Sequence, residues 1–200
     1  MNPNILITGK HGFIGRAIQG GKAFEGDITD YWCVMDQAEN VKGIVHLAAK
    51  SNRKVCEDDP HRCIESNLLG LCNVLNVALV KGIWVLFVST FQIKEKNIYG
   101  LTKLVGEELC RVYQKKGVKV SILRLPVVYG PGDRNWKVVT KLITELKLGI
   151  EPTIETDEKF YFIYVDDAAK MVENEVEILN GNLGINYTLR EITEMIRSCL

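Results

Sequence analysis

Tyr99 and Lys103 lie four residues apart in NIYGLTKLVGEELCRVYQKKG (97–117), a stretch without proline that ends in basic residues and a glycine, which predicts a helix. At 3.6 residues per turn, Tyr99, Lys103, Gly106 and Cys110 fall within about 60° of one another. Leu101, Leu104, Val105, Leu109 and Val112 take the opposite side. A free phenol titrates near ~10, too high for a base at neutral pH. A neighbouring ammonium stabilises the phenolate and makes proton transfer accessible, and the small residues on the same face would let a flat cofactor approach. In an isolated helix, the same two residues are an ordinary polar surface pair.

A second group of residues points to phosphate. NILIT (4–8) reads as a strand and runs into TGKHGFIG (8–15), where Gly9, Gly12 and Gly15 are spaced three apart. At a strand-to-helix turn, Gly9 permits the tight bend, Gly12 lets a diphosphate reach the backbone and Gly15 lets the helix lie close to the strand. The helix N-terminus then offers free N–H groups and a positive dipole end. A dinucleotide is the expected ligand of such a turn at the start of an α/β chain.

The elements that must position these groups alternate along the chain. Helix-like segments are GFIGRAIQ (12–19), halted by Gly20-Gly21, then 28–40, 59–81 with Pro60 in its first turn, and 97–117. KAFEGD (22–27), GIVHLA (43–48), IWVLFVS (83–89) and VKVSILRL (118–125) read as strands. Two of these are the near-continuous apolar runs of parallel strands covered on both faces. The alternation predicts a Rossmann-type doubly wound parallel sheet over 1–134. After the turn YGPGDRN (129–135), a helix at 136–148, an extended piece at 160–165 and helices from Asp166 to about Leu179 and at 188–199 form a small lobe, 135–200. Asp166-Asp167 would cap and charge the first of that last pair.

The chain has 200 residues with 25 basic and 25 acidic side chains, so no nucleic acid or other polyanion partner is advertised. No apolar run approaches the length expected to cross a bilayer, and the N-terminus lacks a signal peptide's pattern, so a cytoplasmic protein is expected. Six cysteines without a C-x-x-C pair are read as reduced, several of them core residues. With the three histidines they make no metal-ligand spacing, and no metal site is expected. His46, ending a buried strand, is read as a satisfied core residue.

TGKHGFIG resembles the TGxxGFIG signature of the extended short-chain dehydrogenase/reductase family, the NAD-dependent sugar-nucleotide epimerases, dehydratases and reductases. Further motifs follow in that family's order: GDITD (26–30), VHLAA (45–49), NLLGLCNVL (67–75), YGLTK (99–103), LRLPVVYGPGD (123–133) and FIYVDDAAKMV (162–172). The resemblance implies a cofactor site formed by Gly9, Lys10, His11, Gly12, Phe13, Ile14, Gly15, Asp27, Ile28, Leu47, Ala48, Ala49, Asn67 and Pro126, with Tyr99 and Lys103 reaching its nicotinamide end. It makes Tyr99 the group that moves the proton and Lys103 the holder of the nicotinamide ribose. It also places a hydroxyl for the reacting oxygen at the end of strand 83–89, where register favours Thr90 over Ser89. A nucleotide-sugar substrate and a homodimer, paired through helices 97–116 and 59–80, are implied in the same way.

Departures from the family pattern bear on the reaction. Phe91-Gln92 follow Thr90 where dehydratases carry Asp-Glu, which disfavours elimination and leaves epimerase or reductase. Eleven residues between Gly15 and Asp27 leave no room for the usual second strand and helix, so NAD or NADP stays open. Asp27 is one candidate to grip the adenosine ribose, and Arg16 one to take a 2′-phosphate. Val127 replaces an expected Asn, and an Arg expected before FIYVDD is missing. A dinucleotide-binding sensor or assembly subunit that lost efficient catalysis is the rival from another class.

Overall fold

A computed structural model of the protein describes residues 1–94, 96–134, 137–154, 156, 158–174 and 185–200. The main sheet is formed by β1 (Ile5–Thr8), β2 (Lys22–Ala23), β3 (Gly43–His46), β4 (Trp84–Thr90) and β5 (Val120–Leu125), all parallel, in the order β2-β1-β3-β4-β5. Alternate side chains of each strand enter opposite layers. Leu6, Ile44, Val85, Phe87 and Ile122 pack with α2 (Tyr31–Gln37), α5 (Gly70–Lys81) and α6 (Ile98–Lys115). Ile5, Ile7, Val45, Leu86, Val88 and Leu123 pack on the other face with α1 (Phe13–Ala17) and α8 (Val165–Glu173). This is the doubly wound, Rossmann-type sheet expected from the alternation of strands and helices.

Local chemistry sets the element ends. Asp30 caps α2, accepting from Trp32 N at 2.9 Å, so this helix starts three residues later than its apolar pattern suggests. Helix α1 stops at Ala17 because Ile18 is extended and Gly20 and Gly21 both take positive φ. That bend delivers the chain straight into the edge strand β2, whose pairing with β1 ends at the Phe24 N to Ile7 O bond before Gly26 (φ 121°) turns away. One short edge strand therefore stands where 22–27 read as a full one. Asn97 caps α6 through Gly100 N at 2.8 Å, and Glu57 accepts from Ile98 N at 2.6 Å.

The predicted helix 59–81 is α4 (Pro60–Ile64), a π turn (Glu65–Leu69) and α5 in one run, preceded by α3 (Arg53–Asp58), which the sequence pattern had not suggested. Two expectations are corrected here. The 22-residue run Pro60–Lys81 is long and apolar enough, by length and composition, to cross a bilayer; in the fold it is a core helix, half buried. Cys56 and Cys63 are disulfide-bonded rather than reduced. The break between α3 and α4 at Asp59-Pro60 brings their Cα atoms to 5.2 Å, a juxtaposition that a search for C-x-x-C misses.

A second, three-stranded sheet has β6 (Val127–Tyr129) parallel to β7 (Lys159–Tyr164), and β7 antiparallel to β8 (Ile185–Thr188). β7 matches the extended piece expected at 160–165; β6 and β8 carry too few residues to stand out. Helix α7 (Val138–Lys147) follows the YGPGD turn, and α9 (Leu189–Arg197) begins with a capping box between Thr188 and Glu191. The helix expected from Asp166 starts at Val165 behind a Tyr164 cap, so Asp166 and Asp167 charge its first turn without capping it. The part of that helix expected beyond Asn174 lies outside the described residues.

Candidate active site

A cleft of about 640 Å³ opens along the C-terminal ends of the main strands, as expected for an open parallel sheet. Gly9, Gly12, Phe13, Ile14 and Gly15 line one part of it, with Leu47 and Ala49 beyond β3. Ser89, Thr90, Tyr99, Lys103 and Pro126 line the same cleft, and so do Arg53, Asp133, Arg134, Lys137, Phe160 and Phe162. The two sequence signals, the glycine turn and the Tyr-Lys helix, thus meet in one cavity.

The glycine turn is built for close backbone approach. Gly9 has φ 73°, and a Cβ there would meet Ala48 N at 2.8 Å. Gly12 N donates to Gly9 O at 2.9 Å, and a Cβ on Gly12 would lie 3.0 Å from the same oxygen. Gly15 leaves no space for a side chain beside the Lys10 carbonyl. This bare, N–H-rich turn fits a dinucleotide's diphosphate.

Helix α6 presents the proton-handling pair. Lys103 is buried, donates to Val88 O at 2.8 Å and lies 4.7 Å from the centre of the Phe87 ring. Burial pulls its ammonium down to about 8, against the upward pull of Cys110 and Glu107. Tyr99 does not show the lowered phenol that its spacing suggested. Burial pushes it up to about 12, and the cation that partly offsets this is Arg53, at the N-terminus of α3.

The choice between the two strand-end hydroxyls follows from a buried network. Ser89 donates to Glu107 at 2.7 Å, and Glu107, sealed from solvent, also holds Arg124 through two bonds of 2.8 and 2.6 Å. Ser89 is therefore committed to structure. Thr90 Oγ1 accepts from Gln92 N at 3.2 Å, which leaves its own proton for a ligand in the cleft.

Other expected contacts stand elsewhere. Lys10 turns back to donate to Gly15 O and Ile18 O, tying down α1. His11 points outward and pairs with Glu25 at 2.6 Å. Asp27 organises its own turn through Thr29, and Ile28 is a core residue packed under Gly70. Ala48 N donates to Thr8 Oγ1, which also bonds His46 Nδ1 at 2.9 Å. Burial pulls His46 down to about 3, so it is a neutral core residue. Asn67 clamps the Lys50 backbone with both ends of its amide and reaches Thr102. Arg16, a candidate for a 2′-phosphate, instead donates to Gly132 O at 3.0 Å, pinning the YGPGD turn to α1. Sequence reasoning missed Arg53, Arg134 and Lys137, because nothing in a lone cation's neighbours marks it as lining a cleft. Among the described residues, no group of His, Cys, Asp and Glu could hold a metal ion.

Comparison with known proteins places the chain by family and by fold. Residues 18–174 match the NAD dependent epimerase/dehydratase family. The inverting UDP-N-acetylglucosamine 4,6-dehydratase of Campylobacter jejuni is 25% identical over 164 residues, covering 79% of this chain and 49% of the relative. The UDP-2-acetamido-2,6-beta-L-arabino-hexul-4-ose reductase of Pseudomonas aeruginosa is 27% identical over 202 residues, covering 93% and 52%. The chain thus spans about half the length of these curated relatives. In fold it resembles Thermus thermophilus UDP-glucose 4-epimerase, crystallised with NAD, at TM-score 0.81 and 23% identity over 97% of this chain and 82% of that one. The chain belongs to the NAD dependent epimerase/dehydratase family.

Proposed function

We propose that the protein is an NAD-dependent epimerase of a nucleotide sugar, acting at one carbinol carbon of the sugar ring. The observation that carries this reading is the convergence of the three-glycine turn with Tyr99, Lys103 and Thr90 on one cleft. When bound, the dinucleotide supplies the hydride acceptor. The turn's backbone N–H groups hold its diphosphate, and Lys103 orients its nicotinamide end. Thr90 Oγ1 hydrogen-bonds the reacting hydroxyl while Tyr99 Oη takes its proton. A phenol at about 12 needs positive charge nearby to do this; Arg53 already acts on it, and Lys103 lines the same cleft. Elimination of water would need a carboxyl pair next to Thr90. Gln92 lines the cleft there, and Asp133 is the one acid among the described lining residues.

NAD is favoured over NADP by Glu25. This residue follows the edge strand beside β1, the position from which an acid bonds the adenosine ribose hydroxyls and repels a 2′-phosphate. Its carboxylate pairs with His11 of the glycine turn at 2.6 Å. Glu25→Gln is expected to narrow the preference for NAD over NADP at least several-fold in calorimetric titrations. An unchanged ratio would contradict this assignment.

A second copy of the chain is the proposed partner. Leu101, Leu104, Val105 and Val112 form an exposed apolar stripe on α6, away from the residues that line the cleft.

Incubation of the NAD-loaded protein with UDP-glucose or UDP-N-acetylglucosamine, with the sugars separated by chromatography, tests the reaction. Epimer formed without added cofactor supports the proposal. Turnover that consumes added reduced cofactor would make the protein a reductase, and binding without turnover a sensor.

A further inference from the structure

Among the described residues, one buried side-chain oxygen has no hydrogen-bond partner: Oδ2 of Asp133. Its other oxygen accepts from Arg134 N at 2.8 Å. A buried acceptor left without a donor costs about 1–3 kcal/mol, and folds seldom keep one without a reason. This one belongs to a residue lining the cleft that holds Tyr99.

Its position is well defined. Gly132 takes φ 81°, Asp133 N donates to Gly130 O at 3.3 Å, and Arg16 grips the Gly132 carbonyl, so the turn is fixed to the helix that leaves the glycine loop. Around it, Arg53, Arg134 and Lys137 line the same cleft. Asp133, Arg53 and Arg134 all act on the Lys137 ammonium, which burial pulls down. Arg53 also acts on the Tyr99 phenol. The carboxylate therefore lines the same cleft as the reacting groups, with the Arg134 and Lys137 cations beside it.

Those cations select the ligand chemistry. A cationic amine brought to Asp133 would meet Arg134 and Lys137 beside it and Arg53 in the same cleft, so the missing donor is neutral. The same cations suit the phosphoryl groups of a nucleotide diphosphate, and Phe160 and Phe162 give the cleft an apolar wall. We propose that Asp133 is a specificity-determining residue whose Oδ2 accepts a hydrogen bond from a neutral donor, a hydroxyl or an acylated amine, on the glycosyl group of the substrate. This rests on the nucleotide-sugar reading above.

The test compares UDP, UDP-glucose, UDP-N-acetylglucosamine and NAD binding by calorimetry in the wild type, Asp133→Ala and Asp133→Asn. Asp133→Ala is expected to weaken at least one of the two sugar nucleotides about tenfold, the equivalent of one hydrogen bond to a charged group. It should leave UDP and NAD within about twofold, on the same scale. Asp133→Asn, which keeps a carbonyl acceptor, should recover part of the loss. Asp133→Asn can keep the bond from Arg134 N as well, so it should melt close to the wild type, and a sugar-nucleotide loss in Asp133→Ala that Asp133→Asn does not relieve at all would mark a purely structural role and overturn the proposal. Equal weakening of UDP and of the sugar nucleotides, or no change in either, would overturn the proposal. A wild type that binds NAD but none of the three uridine nucleotides would sink the nucleotide-sugar reading, and this inference with it.

Discussion

At the residue scale, the pairing of Tyr99 with Lys103 was legible because helical spacing puts both on one face, and the cleft receives them together. The electrostatics were not legible. Burial raises the phenol and lowers the ammonium, and spacing along a chain carries no information about burial. Neither is the role of Ser89, since its partner Glu107 lies 18 residues away on another element. The lowered Lys103 has a consequence for pH. The proposed mechanism uses its charge at the nicotinamide end, and that charge is lost as pH rises through about 8. Turnover should therefore fall above that pH, with the falling limb absent from any residual activity of Lys103→Arg, whose charge persists. A rate that keeps rising well above pH 8 would show that the Lys103 charge is not required. The same burial sets a stability effect of the opposite sense. With its folded value below the free value of 10.5, Lys103 costs stability while protonated in the fold, and this cost is relieved between about 8 and 10.5.

At the element scale, the strongest apolar runs became β1, β3 and β4, while short pieces escaped notice. β2 has two residues and β6 three, and such strands are defined by the neighbour they pair with rather than by their own composition. Helix α3 was hidden because Asn52 caps it and Asp59-Pro60 ends it within six residues, too short a span for a helical period to appear. The elements around the reacting groups are joined by Glu107, which ties α6 to β4 through Ser89 and to β5 through Arg124. Burial alone would raise the Glu107 carboxyl; the bonds from Arg124 and Ser89 outweigh it and hold the carboxyl ionised. Glu107→Ala strands Arg124 and removes the Ser89 partner, and should cost about 3 kcal/mol in urea unfolding. A loss well under ~1 kcal/mol, the usual value of a surface pair, would mean that the network does not anchor the helix.

At the scale of the whole molecule, the doubly wound sheet could be read from the order of strands and helices, but not the cleft's far wall. That wall combines the YGPGD turn with β7, and Arg16 links the turn to α1 across 116 residues. The outer face of α6 raises the question of assembly. Its exposed leucines and valines predict a dimer by light scattering, and Leu101→Asp with Val105→Asp should yield a monomer that still binds NAD. A wild type that is monomeric at all accessible concentrations would contradict a second copy on this face.

The proposed function requires Tyr99 to move a proton while hydride passes between the sugar and a dinucleotide held at the first glycine turn. It is tested most directly with a sugar nucleotide deuterated at the reacting ring carbon, by mass analysis of the dinucleotide from wild type and Tyr99→Phe. With the wild type, deuterium is expected on the reduced dinucleotide in samples quenched during turnover and back on the same ring carbon in the epimer, and transfer is expected to be at least ~100-fold slower with Tyr99→Phe despite unchanged NAD binding. Transfer at the same rate in both proteins, or a label that never leaves the sugar while substrate and NAD are bound, would contradict it.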